Sequence, residues 1–365
     1  MKTVKQILIA VSVVLVALPA AAQKHPDFIV THEVKTSPVK SQDYTGTCWS
    51  YTATSFIESE ILRKGGELYD ISEMFFVRHV YTQKAKRYVR FHGKSNFSQG
   101  GQAHDAIEII EKYGMVPETV YHGINYKSER HNHSLLEELL KHIADKFAAT
   151  ENKLSPSWIN HYNAVLDGYL GQLPGNFEYK GEQYTGESFA KMVKINAEDY
   201  IEITSYSHQP YYKPFVLELP DNWSHDLYYN VPPEELMQIM KYALSNGYSV
   251  SWDGDVSGDA FSHKAGKADL LDDQEKLLAG KGAEKFRQIL FDNFTATDDH
   301  LMHLTGLAKD TEGNTWFQTK NSWASESNNY GGYLYMSENY LMGMTIAIMV
   351  HKDALPEGIA KKIIR

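Results

Sequence analysis

From residue 48 onward the apolar side chains Trp49, Ala53, Phe56, Ile57 and Ile61 recur at helical spacing, which predicts a buried helix beginning at or near Cys48. Thr45, Gly46 and Thr47 supply turn and cap chemistry before it, and Lys64-Gly65-Gly66 ends it. A second helical pattern lies within Leu68–Tyr88, opening at Asp70-Ile71-Ser72-Glu73 and carried by Met74, Phe75, Val77 and Val80. Ser98-Gln99-Gly100-Gly101 is a glycine turn before a third helix over about 102–113, with Ala103, Ala106, Ile107, Ile109 and Ile110 on its apolar face and Gly114 as its stop. Further helices are expected near 134–148, 156–170 and 188–193, and from Pro232-Pro233 through Ala243. Tyr248–Trp252 alternates as a strand does, and 262–295 reads as a charged, exposed excursion carrying a helix. From residue 300 the texture changes. His300–Ala308, Thr315–Lys320, Gly332–Met336 and Thr345–His351 read as strands separated by turns such as Glu312-Gly313-Asn314.

An amino half that is mostly helical and a carboxyl half that is mostly strand predict an α+β chain of two lobes with a cleft between them. The expected organisation is 23–215 for the helical lobe, with a polar, tyrosine-rich elaboration over about 120–215. Residues 216–352 form the strand lobe and 353–365 a tail. Residues 1–22 have the layout of a secretory signal: Lys2 and Lys5, then the apolar run Ile7–Leu18, then the small residues of Pro19–Ala22. The protein is therefore expected to be exported, to a periplasm or the extracellular space, and to leave no membrane-spanning segment once the signal is removed.

With 365 residues the chain is long enough for two cores. Its net charge of −10, or −12 without Lys2 and Lys5, argues against nucleic acid and anionic membrane surfaces as partners. A single cysteine rules out an internal disulfide and leaves a free thiol in an oxidising place. A lone cysteine in a helix is commonly a small buried hydrophobe. The position of Cys48 at a helix start argues otherwise, because the positive end of the macrodipole favours thiolate. Gln42, six residues upstream, offers a side-chain amide donor for an oxyanion.

A thiol nucleophile needs a base and a group that orients the base. The carboxyl half provides candidates in Asp299-His300-Leu301-Met302-His303 and in Lys320-Asn321-Ser322-Trp323. His300 and His303 lie three apart on one strand and so face opposite sides. Asp298-Asp299-His300 has cation-binding character, but no second cluster completes a metal shell, and His122, His131 and His133 read as solvated loop. No HExxH, P-loop or G-x-S-x-G pattern is present, and no metal or other cofactor is expected.

Taken together, Gln42, Gly46, Cys48 and Trp49, then His300 with Gly306, Asn321-Ser322-Trp323 and Gly332-Tyr333 resemble the motifs of papain-like cysteine peptidases, in the same order. Ser98–Gln102, Tyr113–Pro117, Tyr229–Pro232 and Ser251–Val256 are similar to the bleomycin hydrolase and aminopeptidase C branch, with the likeness spanning most of 40–352. The resemblance implies a papain-like fold with a β-barrel-like carboxyl lobe. It implies Cys48 as nucleophile, His300 as base and then acid, Asn321 as the group orienting His300, and Trp323 as its cover. Trp49 would be supporting, Gln42 with the Cys48 N–H would hold the oxyanion, and Gly100 and Gly101 would pair with an extended peptide. Peptide substrates, aminopeptidase action and a homo-hexamer follow from the same resemblance. In that branch a carboxyl-terminal arm lies in the cleft; the tail Leu355–Arg365 reads equally as such an arm or as an ordinary chain end. Ala324 departs from the pattern, standing where the family has glycine. The alternatives are a peptide-binding protein of the same fold without turnover, and an amidase or acyl transferase acting on a non-peptide amide. With an imidazolium beside it the thiol is expected to rest as a thiolate.

Overall fold

A computed structural model describes residues 25–151 and 153–364; the expected signal at 1–22 lies outside the described residues. The helices are α1 Cys48–Arg63, α2 Glu73–Arg90, α3 Ala103–Tyr113, α4 Ser134–Ala148, α5 Trp158–Leu170, α6 Gly186–Met192, α7 Pro233–Ser245, α8 Asp272–Lys281, α9 Ala283–Asp292, α10 Glu338–Met344 and α11 Glu357–Ile363. The strands are β1 Ile29–Glu33, β2 Phe177–Tyr179, β3 Glu182–Tyr184, β4 Tyr200–Thr204, β5 Pro214–Val216, β6 Leu227–Asn230, β7 Val250–Gly254, β8 Phe261–Ser262, β9 Lys267–Ala268, β10 His300–Lys309, β11 Thr315–Lys320, β12 Tyr333–Ser337 and β13 Thr345–His351. No helix among the described residues is long and apolar enough to cross a membrane.

Two large apolar cores among the described residues correspond to two periodicities, beside a small cluster of Phe28, Ala308, Trp316 and Tyr335. The helical core gathers Trp49, Phe56, Ile57, Met74, Phe76 and Ile109 from α1, α2 and α3. α1 is buried along almost its whole length, including the carboxylates Glu58 and Glu60, so it is a central helix and not a surface one. The Ser72 hydroxyl caps α2 by accepting from the Phe75 N–H at 3.1 Å. Asp105 reaches back to the Gln102 N–H at 2.9 Å and closes a capping box on α3.

The second core lies on the large sheet, whose path runs β5-β6-β4-β13-β7-β10-β11-β12-β9-β8, with β1 also paired to β10. Among the described residues no pairing joins β5 to β8, so the sheet is an open path and the expected barrel-like closure is not carried by its hydrogen bonding. Trp252, Met302, Leu304, Phe317 and Ile348 fill this core, with α7 packed against it. β10 is the seam. Leu301 belongs to the helical core while its neighbours Met302 and Leu304 belong to the sheet core, as alternation along a strand requires. The tail is α11, docked on the sheet core through Ile359 and Ile363, with Lys362 bonded to Tyr212 and Glu235.

Candidate active site

The cleft residues meet where α1 starts and β10 starts. Cys48 is the first residue of α1. The Thr47 hydroxyl before it does not cap the helix but bonds Thr45 Oγ1 at 2.6 Å, leaving first-turn N–H groups without a side-chain partner. The Cys48 thiol lies against the backbone N–H of Leu301, the residue after His300. Farther along α1, the Thr52 hydroxyl donates to the Leu301 carbonyl at 2.8 Å, and Ser55 Oγ is 2.9 Å from His303 Nδ1.

His300 Nε2 is 2.7 Å from Asn321 Oδ1, which sets Nε2 as the protonated nitrogen and leaves Nδ1 as the acceptor. Trp323 stacks on the His300 ring with centroids 4.8 Å apart. His300 and Asn321 are both buried. The two histidines of β10 therefore have separate surroundings: His300 faces Asn321 and Trp323, and His303 faces Ser55 and Phe56. Gln42 is clamped from both sides. One amide N–H goes to the Thr45 carbonyl at 2.8 Å, Oε1 accepts from the Ser322 hydroxyl at 2.6 Å, and its backbone N–H donates to the Ser322 carbonyl at 2.9 Å. That leaves a second amide proton.

Trp49 is fully buried, donates to the Gln99 carbonyl at 3.0 Å and packs on the glycine turn. The turn needs its glycines for internal reasons. A Cβ on Gly100 would lie 1.8 Å from Asp221 Oδ2, and one on Gly101 would lie 2.6 Å from Asp105 Oδ2 and 3.0 Å from the Trp49 ring. An open groove of about 550 Å³ beside Trp323 is lined by Ser41, Tyr44, Arg130, Trp323 and Ala324.

The surroundings of Cys48 and His300 act against the charged pair expected from the sequence. Burial pushes the Cys48 thiol up to about 12, and the carboxylates of Asp298, Asp253 and Asp221 add to that direction. Burial also lowers His300 to about 4. Each group alone is pushed toward its neutral form, the direction opposite to the expected thiolate and imidazolium.

Sequence reasoning missed His263. Its Nδ1 accepts from Asn321 Nδ2 at 3.2 Å, its Nε2 is 2.7 Å from Ser327 Oγ, and its ring meets Trp323 edge-on at 5.0 Å. It sits in the turn between β8 and β9, inside the stretch read as an exposed excursion, and nothing in the local sequence marks it. Among the described residues no cluster of three or more His, Cys, Asp or Glu side chains is arranged to hold a metal.

A thiol at a helix start beside the strand that carries His300, with that imidazole bonded to a carboxamide just past the next strand, is an arrangement in keeping with a papain-like cysteine peptidase. The Peptidase C1-like family matches residues 1–160 and 174–364, and the chain belongs to that family. It is 26% identical to an aminopeptidase C of Lactobacillus delbrueckii subsp. lactis over 92% of this chain and 84% of that protein. It is 24% identical to the bleomycin hydrolase of Gallus gallus over 88% and 82%. The fold is that of PepW from Lactobacillus rhamnosis, with a TM-score of 0.73 at 20% identity, covering 92% of this chain and 84% of that one.

Proposed function

We propose that the protein is an exported cysteine aminopeptidase acting on short peptides through Cys48, His300 and Asn321. The observation that carries this reading is the His300–Asn321 contact at 2.7 Å beneath Trp323, with the Cys48 sulfur against the next residue of the same strand. Similarity to proteins named aminopeptidase C supports the amino-end preference, and the signal-like first 22 residues support export. In the proposed reaction His300 Nδ1 takes the thiol proton as sulfur attacks the substrate carbonyl. The Cys48 N–H and the second Gln42 amide proton receive the oxyanion. The imidazolium protonates the departing amine, and water then hydrolyses the thioester, returning its proton through His300. Asn321 holds the imidazole on one tautomer throughout, and Trp323 keeps water from that bond.

Turnover of free and N-blocked peptides by wild type and Cys48→Ala, alongside stoichiometric labelling by a thiol-directed epoxide, tests this. Hydrolysis of free peptides that is lost in Cys48→Ala is expected. Native protein that is neither labelled nor active overturns the reading, and turnover confined to non-peptide amides replaces it with an amidase.

A further inference from the structure

One peptide unit in the loop between Gln42 and Cys48 is pinned on both edges. The Thr45 carbonyl accepts from Gln42 Nε2 at 2.8 Å, and the N–H of the same peptide, on Gly46, donates to Gln99 Oε1 at 2.8 Å. A peptide group is planar, so its C=O and N–H turn together. A rotation that breaks the Gly46 bond also swings the Thr45 carbonyl away from the Gln42 amide. The Gln99 side chain therefore acts on the Gln42 amide through a rigid plane. Gly46 is exposed, so water would satisfy its N–H nearly as well. A protein acceptor there adds position more than stability.

Gln99 is itself fixed at three points. Its carbonyl accepts from the Trp49 indole at 3.0 Å, Oε1 takes the Gly46 N–H, and Nε2 donates to Glu137 Oε2 at 2.7 Å. Turned end for end, the amide would set its NH2 against the Gly46 N–H and its oxygen against the Glu137 carboxylate, so one orientation alone is satisfied. Glu137 lies in the first turn of α4, and the residues just before it hold the same loop. The Tyr44 N–H donates to the His131 carbonyl at 3.1 Å, and the His133 N–H donates to the Tyr44 carbonyl at 3.3 Å. The His131 N–H donates to Asp43 Oδ2 at 3.1 Å. Asp43 has a φ of 52°, a conformation that persists only where the surroundings enforce it.

We propose that Gln99 and Glu137 are positioning residues for the oxyanion. Glu137 sets the Gln99 amide, Gln99 sets the 45–46 peptide plane, and that plane holds the Gln42 amide with its second proton ready for the developing oxygen. The inference rests on Gln42 and Cys48 acting as proposed above. It gives the start of α4, inside the elaboration of the helical lobe, a task at the site: residues 131–137 brace the loop at 43–44 directly and at Gly46 through Gln99. The same Gln99 opens onto Gly100 and Gly101, so the turn and the oxyanion loop are held in one frame.

The test is a double-mutant cycle read in kcat on a fluorogenic aminoacyl amide with a free amino end. Glu137→Ala should lower kcat about tenfold, the worth of one charge-assisted hydrogen bond, and Gln99→Leu at least as much. Glu137→Gln, whose side-chain oxygen can accept from Gln99, should recover most of the loss. Gln42→Ala should cost about a hundred- to a thousandfold, as loss of an oxyanion donor does. In that background Glu137→Ala should cost less than about twofold, because the group it acts through is gone. Iodoacetamide supplies a readout that a merely structural role would move. Sulfur displaces its iodide at a saturated carbon and no oxyanion develops, so Cys48 in Glu137→Ala should be alkylated at the wild-type rate. Wild-type kcat in both Glu137→Ala and Gln99→Leu overturns the inference, as does a tenfold loss that persists beside Gln42→Ala or an equal fall in alkylation; each leaves the peptidase reading intact. Wild type that does not hydrolyse the amide overturns the two together.

Discussion

His263 is where the site is most open to a decisive perturbation. Its Nδ1 is the acceptor for one Asn321 amide proton, while Asn321 Oδ1 takes the His300 Nε2 proton. The amide therefore has one satisfied orientation. His263→Ala removes the acceptor and leaves a donor of the buried Asn321 without a partner, at a cost of about 1–3 kcal/mol. If that cost falls on orientation, kcat drops about 5- to 100-fold with KM little changed. His263→Gln can present a carbonyl oxygen instead and should recover most of the loss. The pH profile separates orientation from mere packing. Protonated His263 would turn a second donor toward the amide. The amide would then rotate, offer NH2 to His300 Nε2, and drive the imidazole proton onto Nδ1, where it blocks uptake of the thiol proton. Burial holds His263 below the ordinary histidine range, so this loss is expected as pH falls beneath that range. The His263→Gln enzyme should lack that acid limb. Wild-type kcat in His263→Ala, or an identical acid limb in His263→Gln, would refute the argument. Steady-state kinetics from pH 4 to 8 supply both readouts.

Two further outcomes concern stability. Ala324 sits at φ 70° and ψ 151°, a region that glycine occupies freely and other residues enter only with strain of about 1–3 kcal/mol. Allowing for the extra freedom of glycine in the unfolded chain, Ala324→Gly should stabilise by about 0.5–2 kcal/mol. Over 365 residues that is about 1–3 °C in Tm, and a lowered midpoint would count against it. The second outcome reports the resting state of His300. Its folded pKa of about 4 lies below the ordinary 6.5, so the unfolded chain takes the proton first. Stability from neutral His300 is thus whole above pH 6.5 and lost as pH falls toward 4. Between pH 6.5 and 4.5 wild type should lose about 2–3 kcal/mol more than His300→Gln in urea titrations. A difference of opposite sign would mean a resting imidazolium.

The parts of this site that announce themselves in sequence are those built from local pattern. The helical spacing behind Cys48 placed a helix start at the thiol, and the alternation after residue 300 marked β10, β11, β12 and β13 close to their observed ends. What stayed hidden depends on contacts across the chain. His263 bonds a residue far downstream in sequence and lies in a charged stretch whose texture says only surface. Asp221 and Asp253 look like ordinary turn acids until the fold brings them to one place. β1 and β4, which lie within the stretch expected to form the helical lobe, join the main sheet. The surroundings that oppose charge on Cys48 and His300 have the same origin. A helix terminus is visible in sequence, but burial and three converging carboxylates are not.

The sequence also does not reveal why sulfur and imidazole, carried by different cores, keep their relative position. Two greasy surfaces can slide; directional bonds cannot. Across this seam the bonds are polar and buried. Beyond Thr52–Leu301 and Ser55–His303, Lys320 Nζ donates to Ser55 Oγ at 2.7 Å and to Ser37 Oγ at 3.0 Å, and Lys320 immediately precedes Asn321. Lys40 continues the chain to Glu73 at 2.7 Å, with Glu58 of α1 at 3.9 Å. Burial opposes these charges, lowering Lys320 to about 8 and raising Glu73 to about 8, so the network is not there for stability alone. Its effect is register: α1 is tied to β10 and β11 by groups that accept one alignment. Displacing a reacting group by about 1 Å can cost a hundredfold in rate, which gives a reason to bury such bonds behind the site instead of replacing them with apolar packing.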